Sequence, residues 1–237
     1  MEDLRKHRAE LQEDGFTVMH SIYTDEEAAQ IIQAIDQVDS GKATFRRSQD
    51  LFAVRQFLKE IPETASLIFN EKLKAVIRQL FGADYFIVKS IYFDKPETSN
   101  WFVAYHQDLT ISVDRKAMLE GYGPWTVKQN QFAVQPPLEI LQNIFTIRIH
   151  LDDTDELNGA LKVIPGTHQG ICRPENSNRE KELVCKVPRG GIMIMHPLLL
   201  HSSGRTVNQS RRRVIHLELS DCVLPEPIRW SEKLEIA

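Results

Sequence analysis

A chain of 237 residues that is 42% hydrophobic and 26% charged can hold one large domain with a sizeable core and a soluble surface. Its net charge of −4 gives no electrostatic case for nucleic acid or an anionic membrane. Three scattered cysteines, Cys172, Cys185 and Cys222, supply neither a disulfide framework nor a CxxC metal site. The opening MEDLRKHRAELQEDGF lacks an apolar signal core, and no apolar run reaches bilayer-spanning length. These features predict a cytoplasmic protein, a monomer or homodimer, whose partner is a small molecule.

In chain order, residues 1–84 read as a mostly helical buttress. YTDEEAAQIIQAIDQV places Thr24 and Glu27 in capping-box spacing ahead of Ala28, Ile31, Ile32 and Ile35 on one face. NEKLKAVIRQLFG repeats the pattern, with Asn70 as cap and Gly82 as stop. From Tyr85 the texture changes. YFIVKSIYF, NIFTIRIHL, GALKVIP, GGIMIM and RRVIHLELS are short, rich in β-branched or aromatic residues, and bounded by Gly, Pro and Asn. A helical buttress followed by many short strands predicts a mainly β domain, a barrel or double sheet backed by helices, spanning residues 1–237. Asn158-Gly159 is a strong turn signal in a hairpin-like stretch.

Residues 114–139, DRKAMLEGYGPWTVKQNQFAVQPPLE, have weak periodicity and several Gly and Pro. A loop of that length in a compact domain suggests a lid. Gly121 and Gly123 would bend it, Trp125 and Phe132 would give apolar cover, and Lys128 and Gln129 polar contacts. On that reading Trp125 and Gln129 touch substrate.

The chemistry-bearing residues begin with AYHQDLTI. In a strand, His106 and Asp108 point to one face, so His-x-Asp can deliver two of the three ligands of a 2-His-1-carboxylate iron site. His150-Leu151-Asp152 is a competing copy, but it runs into a turn. His201 in LLLHSSGRT lies roughly 95 residues beyond His106, where a barrel returns to the same mouth; His196, before Pro197, is its rival. Such a site leaves three positions open on iron, two of which a 2-oxo acid can chelate. Its distal carboxylate then needs a fixed cation, for which arginine's fork is suited. SRRRVIHLE offers Arg212 eleven residues after His201, with Arg211 and Arg213 alternating to the opposite face. His168 reads as a turn or rim residue and Trp101 as a packing residue. His216 and Glu218 share the predicted face of Arg212.

LQEDGFTVM…TDEE, NWFVAYHQD, NGALKVIPGTHQG and HSS…RRVIHLE, in this order, resemble the phytanoyl-CoA dioxygenase family of iron(II)/2-oxoglutarate oxygenases over nearly the whole chain. The resemblance implies a double-stranded β-helix (a cupin-like jelly roll) with the metal near its open end. It implies Fe(II), 2-oxoglutarate and O2 as cofactor and co-substrates, with hydroxylation of an unactivated C–H and release of succinate and CO2. It carries the iron-ligand and catalytic roles to His106, Asp108 and His201, and the 2-oxoglutarate carboxylate to Arg212. Arg148 stands where relatives often have tryptophan, as a group for co-substrate or for an anionic substrate. Two rival classes are a non-catalytic jelly-roll binding or sensor protein and a cupin-like metal enzyme that does not use 2-oxoglutarate. Arg212 separates the latter, which has no need of a carboxylate clamp.

Overall fold

Thr24 opens a helix as its spacing predicts: its hydroxyl accepts from Glu27 N at 3.1 Å while the Glu27 carboxylate accepts from Thr24 N at 2.8 Å. The computed structural model describes residues 4–38, 45–48, 52–97, 99–128 and 131–236. The first third carries helices α1 (Leu4–Glu13), α2 (Asp25–Asp36), α3 (Phe57–Glu60), α4 (Thr64–Ile68) and α5 (Glu71–Leu80). Asn70 caps α5 by accepting from Leu73 N at 2.9 Å, and Gly82 follows with φ +105°. Ala28, Ile31, Ile35, Leu73, Val76 and Ile77, spaced on the inner faces of α2 and α5, are buried.

This third is less helical than its periodicity suggests. It also contributes strands β1 (Phe16–Met19), β2 (Phe45–Arg47) and β3 (Phe52–Arg55), each joined to a longer sheet by long-range or edge pairing. Runs of three or four residues carry too little alternation to show in a sequence; their partners decide them.

The remaining strands are β4 (Phe86–Lys95), β5 (Val103–His106), β6 (Ile111–Val113), β7 (Trp125–Lys128), β8 (Gln131–Val134), β9 (Phe145–His150), β10 (Leu161–Val163), β11 (Leu183–Val184), β12 (Ile192–Met195), β13 (His201–Ser203), β14 (Arg212–Ser220) and β15 (Leu234–Glu235), with α6 (Leu138–Gln142) before β9. One antiparallel sheet runs β1-β12-β9-β14-β4-β3-β2, with β15 on β4; a second runs β11-β10-β13-β5. The two face each other as a double-stranded β-helix, because Leu161 and Val163 of the short sheet pack on Met193 and Met195 of the long one.

Register sorts the long sheet into two chemistries. Tyr92, Ile147, Ile149, Ile192, Ile194, Ile215 and Leu217 point outward and join the apolar core shared with the helices. The alternate positions point between the sheets. There Arg148 lies opposite both His216 and Met193, and Lys89 opposite Glu218. Polar residues in the middle of apolar strands thus line one enclosed space.

The segment 114–139 is corrected by the structure. Its described residues form β7 and β8, which with β6 make a three-stranded sheet. Trp125, Phe132 and Tyr122 pack against a second core cluster containing Ile111, Val134, Leu141 and Leu198. None of its described residues lines the cavity between the two main sheets. Trp125 is therefore a packing residue of a buttress; Gln129 lies outside the described residues. Aromatic and small residues serve a lid or a second core equally well, and composition does not choose. Asn158-Gly159 does turn the chain, with Gly159 at φ +83°, but β10 pairs with β11 and β13 rather than folding back on β9.

Candidate active site

His106 ends β5 and His201 begins β13, and the two are direct cross-strand partners. Their rings lie 4.3 Å apart. Asp108, two residues past His106, is held at the strand end by its own N–H, which donates to Pro197 O at 2.9 Å. Between them Gln107 is buried and donates to Gly170 O at 2.8 Å and Leu198 O at 2.5 Å, while accepting from Cys172 N at 2.9 Å. That side chain ties the His-x-Asp strand to the loop leading into His201.

Each histidine Nδ1 lies beside a carbonyl that only accepts. His106 Nδ1–H donates to Ala104 O at 2.9 Å and His201 Nδ1–H to Leu199 O at 2.8 Å. Both rings therefore turn Nε2 toward Asp108, at 3.6 Å from Oδ1 for His106 and 3.8 Å from Oδ2 for His201. Burial pushes the His201 imidazole down to about 4, although Asp108 opposes it, so the ring is neutral near pH 7. Burial would raise Asp108, but His201, Lys89, His216 and His106 outweigh it and hold the carboxyl at about 2. Two imidazole lone pairs and an ionised carboxylate, all within 4.8 Å of one another, make a donor set that fits a divalent transition metal. The backbone bonds at Nδ1 are the outer partners that orient metal-binding histidines.

The cluster opens into a cavity of about 140 Å³ lined by residues of both main sheets. Ile91, Phe93, Trp101, Val103 and Leu161 are its apolar walls; Lys89, Arg148, Arg212 and His216 are its polar ones. Arg212 is 4% exposed. Its guanidinium donates to Gly159 O, and also to Ser203 Oγ at 3.4 Å, while Nε has no partner among the described residues. No carboxylate pairs with it among the described residues. Burial, then repulsion from Arg148, lowers it to about 9, still protonated at neutral pH. Arg211 and Arg213 point the other way, onto Asp94 at 2.5 Å and Asp152 at 2.6 Å.

The competing residues are accounted for elsewhere. Asp152 holds Arg213, and His150 Nδ1 lies 2.8 Å from Thr154 Oγ1, with burial and then Arg148 and Arg212 pushing its pKa well down. His196 stacks on His168 at 4.8 Å and meets Phe145 at 4.5 Å with the rings tilted, outside the cavity.

A model of the family described as phytanoyl-CoA dioxygenase (PhyH) matches residues 11–214. The chain belongs to this family. It is 24% identical over 246 residues to the probable alpha-ketoglutarate-dependent hypophosphite dioxygenase of Stutzerimonas stutzeri, covering 89% of this chain and 76% of that protein. It is 34% identical over 92 residues to the peroxisomal phytanoyl-CoA dioxygenase of Mus musculus, covering 30% of this chain and only 27% of that one. Among solved structures, the alpha-ketoglutarate-dependent epimerase SnoN from nogalamycin biosynthesis superposes with TM-score 0.68 at 14% identity, covering 93% of this chain and 84% of its own. HygX from Streptomyces hygroscopicus, solved with nickel and 2-oxoglutarate, gives 0.65 at 14% identity, covering 91% and 86%. At these identities the likeness establishes the double-stranded β-helix.

Two wall residues, Lys89 and His216, and Glu218 beside them carry no role in the sequence reading. Lys89 and Glu218 pair at 2.7 Å, His216 Nε2 lies 3.1 Å from Glu218 Oε1, and Arg148 Nη1 lies 3.1 Å from His216 Nδ1. Because a guanidinium only donates, His216 accepts through Nδ1 and gives its Nε2–H to Glu218. A lysine inside YFIVKSIYF was the available signal, since a charge in an apolar strand needs a buried partner.

Proposed function

We propose that this protein is an iron(II)- and 2-oxoglutarate-dependent oxygenase that hydroxylates a C–H bond of a small molecule. The observation that carries the reading is one cavity holding both a His-Asp-His cluster and Arg212, a buried cation without a counter-ion among the described residues. Iron and 2-oxoglutarate bound there would activate O2, with succinate and CO2 as co-products.

The chain's own residues prepare that chemistry. His106, His201 and Asp108 would hold the metal through Nε2 and carboxylate oxygens that their backbone bonds already aim at one point. Arg212 would hold the distal carboxylate of 2-oxoglutarate, completing the charge pair it lacks. Ile91, Phe93, Trp101 and Leu161 would limit water around the reacting atoms.

The test is succinate formation from 2-oxoglutarate with iron(II) in air, with Asp108→Ala as control. Wild-type protein should form succinate and add one oxygen atom to a turned-over substrate. Equal succinate from the Asp108→Ala protein would refute the assignment. A product of unchanged mass would replace hydroxylation with another outcome on the same site.

A further inference from the structure

The oxygenase reading leaves one charge in the cavity unmatched. Lys89 is paired with Glu218 at 2.7 Å. A divalent metal would match Asp108 and one carboxylate of 2-oxoglutarate, and Arg212 would match the other. Arg148 remains.

This side chain is 8% exposed and lines the cavity. Among the described residues its only hydrogen bond is to the neutral acceptor His216 Nδ1, and its Nε has no partner. No carboxylate lies within ion-pair distance of it among the described residues. The charge that most favours it is that of Asp108, which the metal would engage, and the next is the Cys185 thiol, kept protonated by a pKa raised to about 12. A buried cation without a counter-ion is costly to the empty protein, so its retention in the wall of a ligand cavity points to an anion that arrives with a ligand. The His216–Glu218–Lys89 chain gives the guanidinium a fixed orientation before that ligand arrives.

Resting on the oxygenase reading, we propose that Arg148 is the recognition group for substrate, and that the substrate is a small molecule bearing one oxyanion group, a carboxylate or a phosphorus oxyanion. Arg148 and Arg212 divide the work: one holds substrate, the other co-substrate. Both are oriented by neutral groups, so each keeps its full charge for an incoming ligand.

The experiment uses protein loaded anaerobically with iron(II) and 2-oxoglutarate. Calorimetry follows titration with propionate, methylphosphonate and the uncharged propanamide, while the visible charge-transfer band of the 2-oxo acid on iron reports co-substrate binding. At least one oxyanion should bind wild type about tenfold or more tighter than propanamide. Arg148→Gln should lose about tenfold or more of that affinity while its 2-oxoglutarate midpoint moves less than about threefold. Arg148→Lys should keep part of the oxyanion affinity, because the charge survives without the fork. The ligand-free Arg148→Gln protein should melt no lower than wild type, since the change removes an unpaired buried charge.

The proposal is overturned if no oxyanion binds wild type, or if Arg148→Gln binds it equally well. It is also overturned if the 2-oxoglutarate midpoint rises in step with the loss, which would make Arg148 a co-substrate group, or if the empty variant is clearly destabilised, which would make it structural. Absence of the visible band in wild type, with oxyanion uptake still dependent on Arg148, would refute the oxygenase reading and leave the anion site standing.

Discussion

Two histidines that each give Nδ1–H to a carbonyl two residues back have one nitrogen left to offer, and it points at Asp108. Replacing His106, Asp108 or His201 with Ala should therefore abolish stoichiometric iron binding, measured by metal analysis after desalting, with the fold retained by circular dichroism. His150→Ala and His196→Ala should bind iron as wild type does. Loss of iron in His196→Ala with retention in His201→Ala would reverse the assignment. Arg212→Gln should raise the 2-oxoglutarate midpoint more than about a hundredfold, because breaking a buried charge pair costs on the order of 3–5 kcal/mol. Arg211→Gln and Arg213→Gln, whose side chains hold Asp94 and Asp152 instead, should move it far less. At this scale strand alternation gave the opposed directions of Arg212 and its neighbours Arg211 and Arg213, whereas β5 ends at His106 and Asp108 is placed by its backbone bond to Pro197 O, which no alternation shows. His216 and Glu218 share a face two residues apart, but their partners Arg148 and Lys89 come from other strands, Lys89 more than 100 residues away, a relation that no local spacing shows.

Among elements, the long strands and the capped helices were legible because each carries its own signal: alternation and β-branching in β4, β9 and β14, and a capping box in α2. The short strands β1, β2 and β3 were not, since pairing rather than composition makes them strands. The segment between β6 and α6 failed for a different reason: its apolar residues were assigned to a ligand, whereas they complete the cluster around Ile111 and Leu198. That placement predicts the behaviour of Trp125→Ala. The variant should lose stability by roughly 1–4 kcal/mol in urea unfolding, less than a fully buried tryptophan would cost. Its midpoints for 2-oxoglutarate and for any turned-over substrate should stay within about threefold of wild type. A selective loss of substrate affinity without loss of stability would restore the lid.

For the molecule as a whole, ionisation links folding to pH through buried imidazoles. Burial, reinforced by His168, pushes His196 down to about 4 from an ordinary value of 6.5. The native state then holds fewer protons than the unfolded chain between those values, so stability is full above about pH 6.5 and falls as pH drops toward 4. His196→Phe, which keeps a ring against Phe145, should flatten the loss in urea midpoint between pH 7 and pH 5. An unchanged slope would place the titration elsewhere. A metal and co-substrate that bound only the folded β-helix would act on the same equilibrium in the opposite sense; saturation at about a hundredfold over the dissociation constant would add roughly 2.7 kcal/mol. The central claim is that one cavity binds iron through His106, Asp108 and His201 and, beside it, 2-oxoglutarate through Arg212. Its most direct test is anaerobic titration of the iron(II)-loaded protein with 2-oxoglutarate, followed by the visible charge-transfer band. The band should rise to stoichiometric saturation in wild type, require far more 2-oxoglutarate in Arg212→Gln, and be absent in Asp108→Ala. A wild-type protein that binds iron yet develops no band, or an Arg212→Gln protein with an unshifted midpoint, would contradict it.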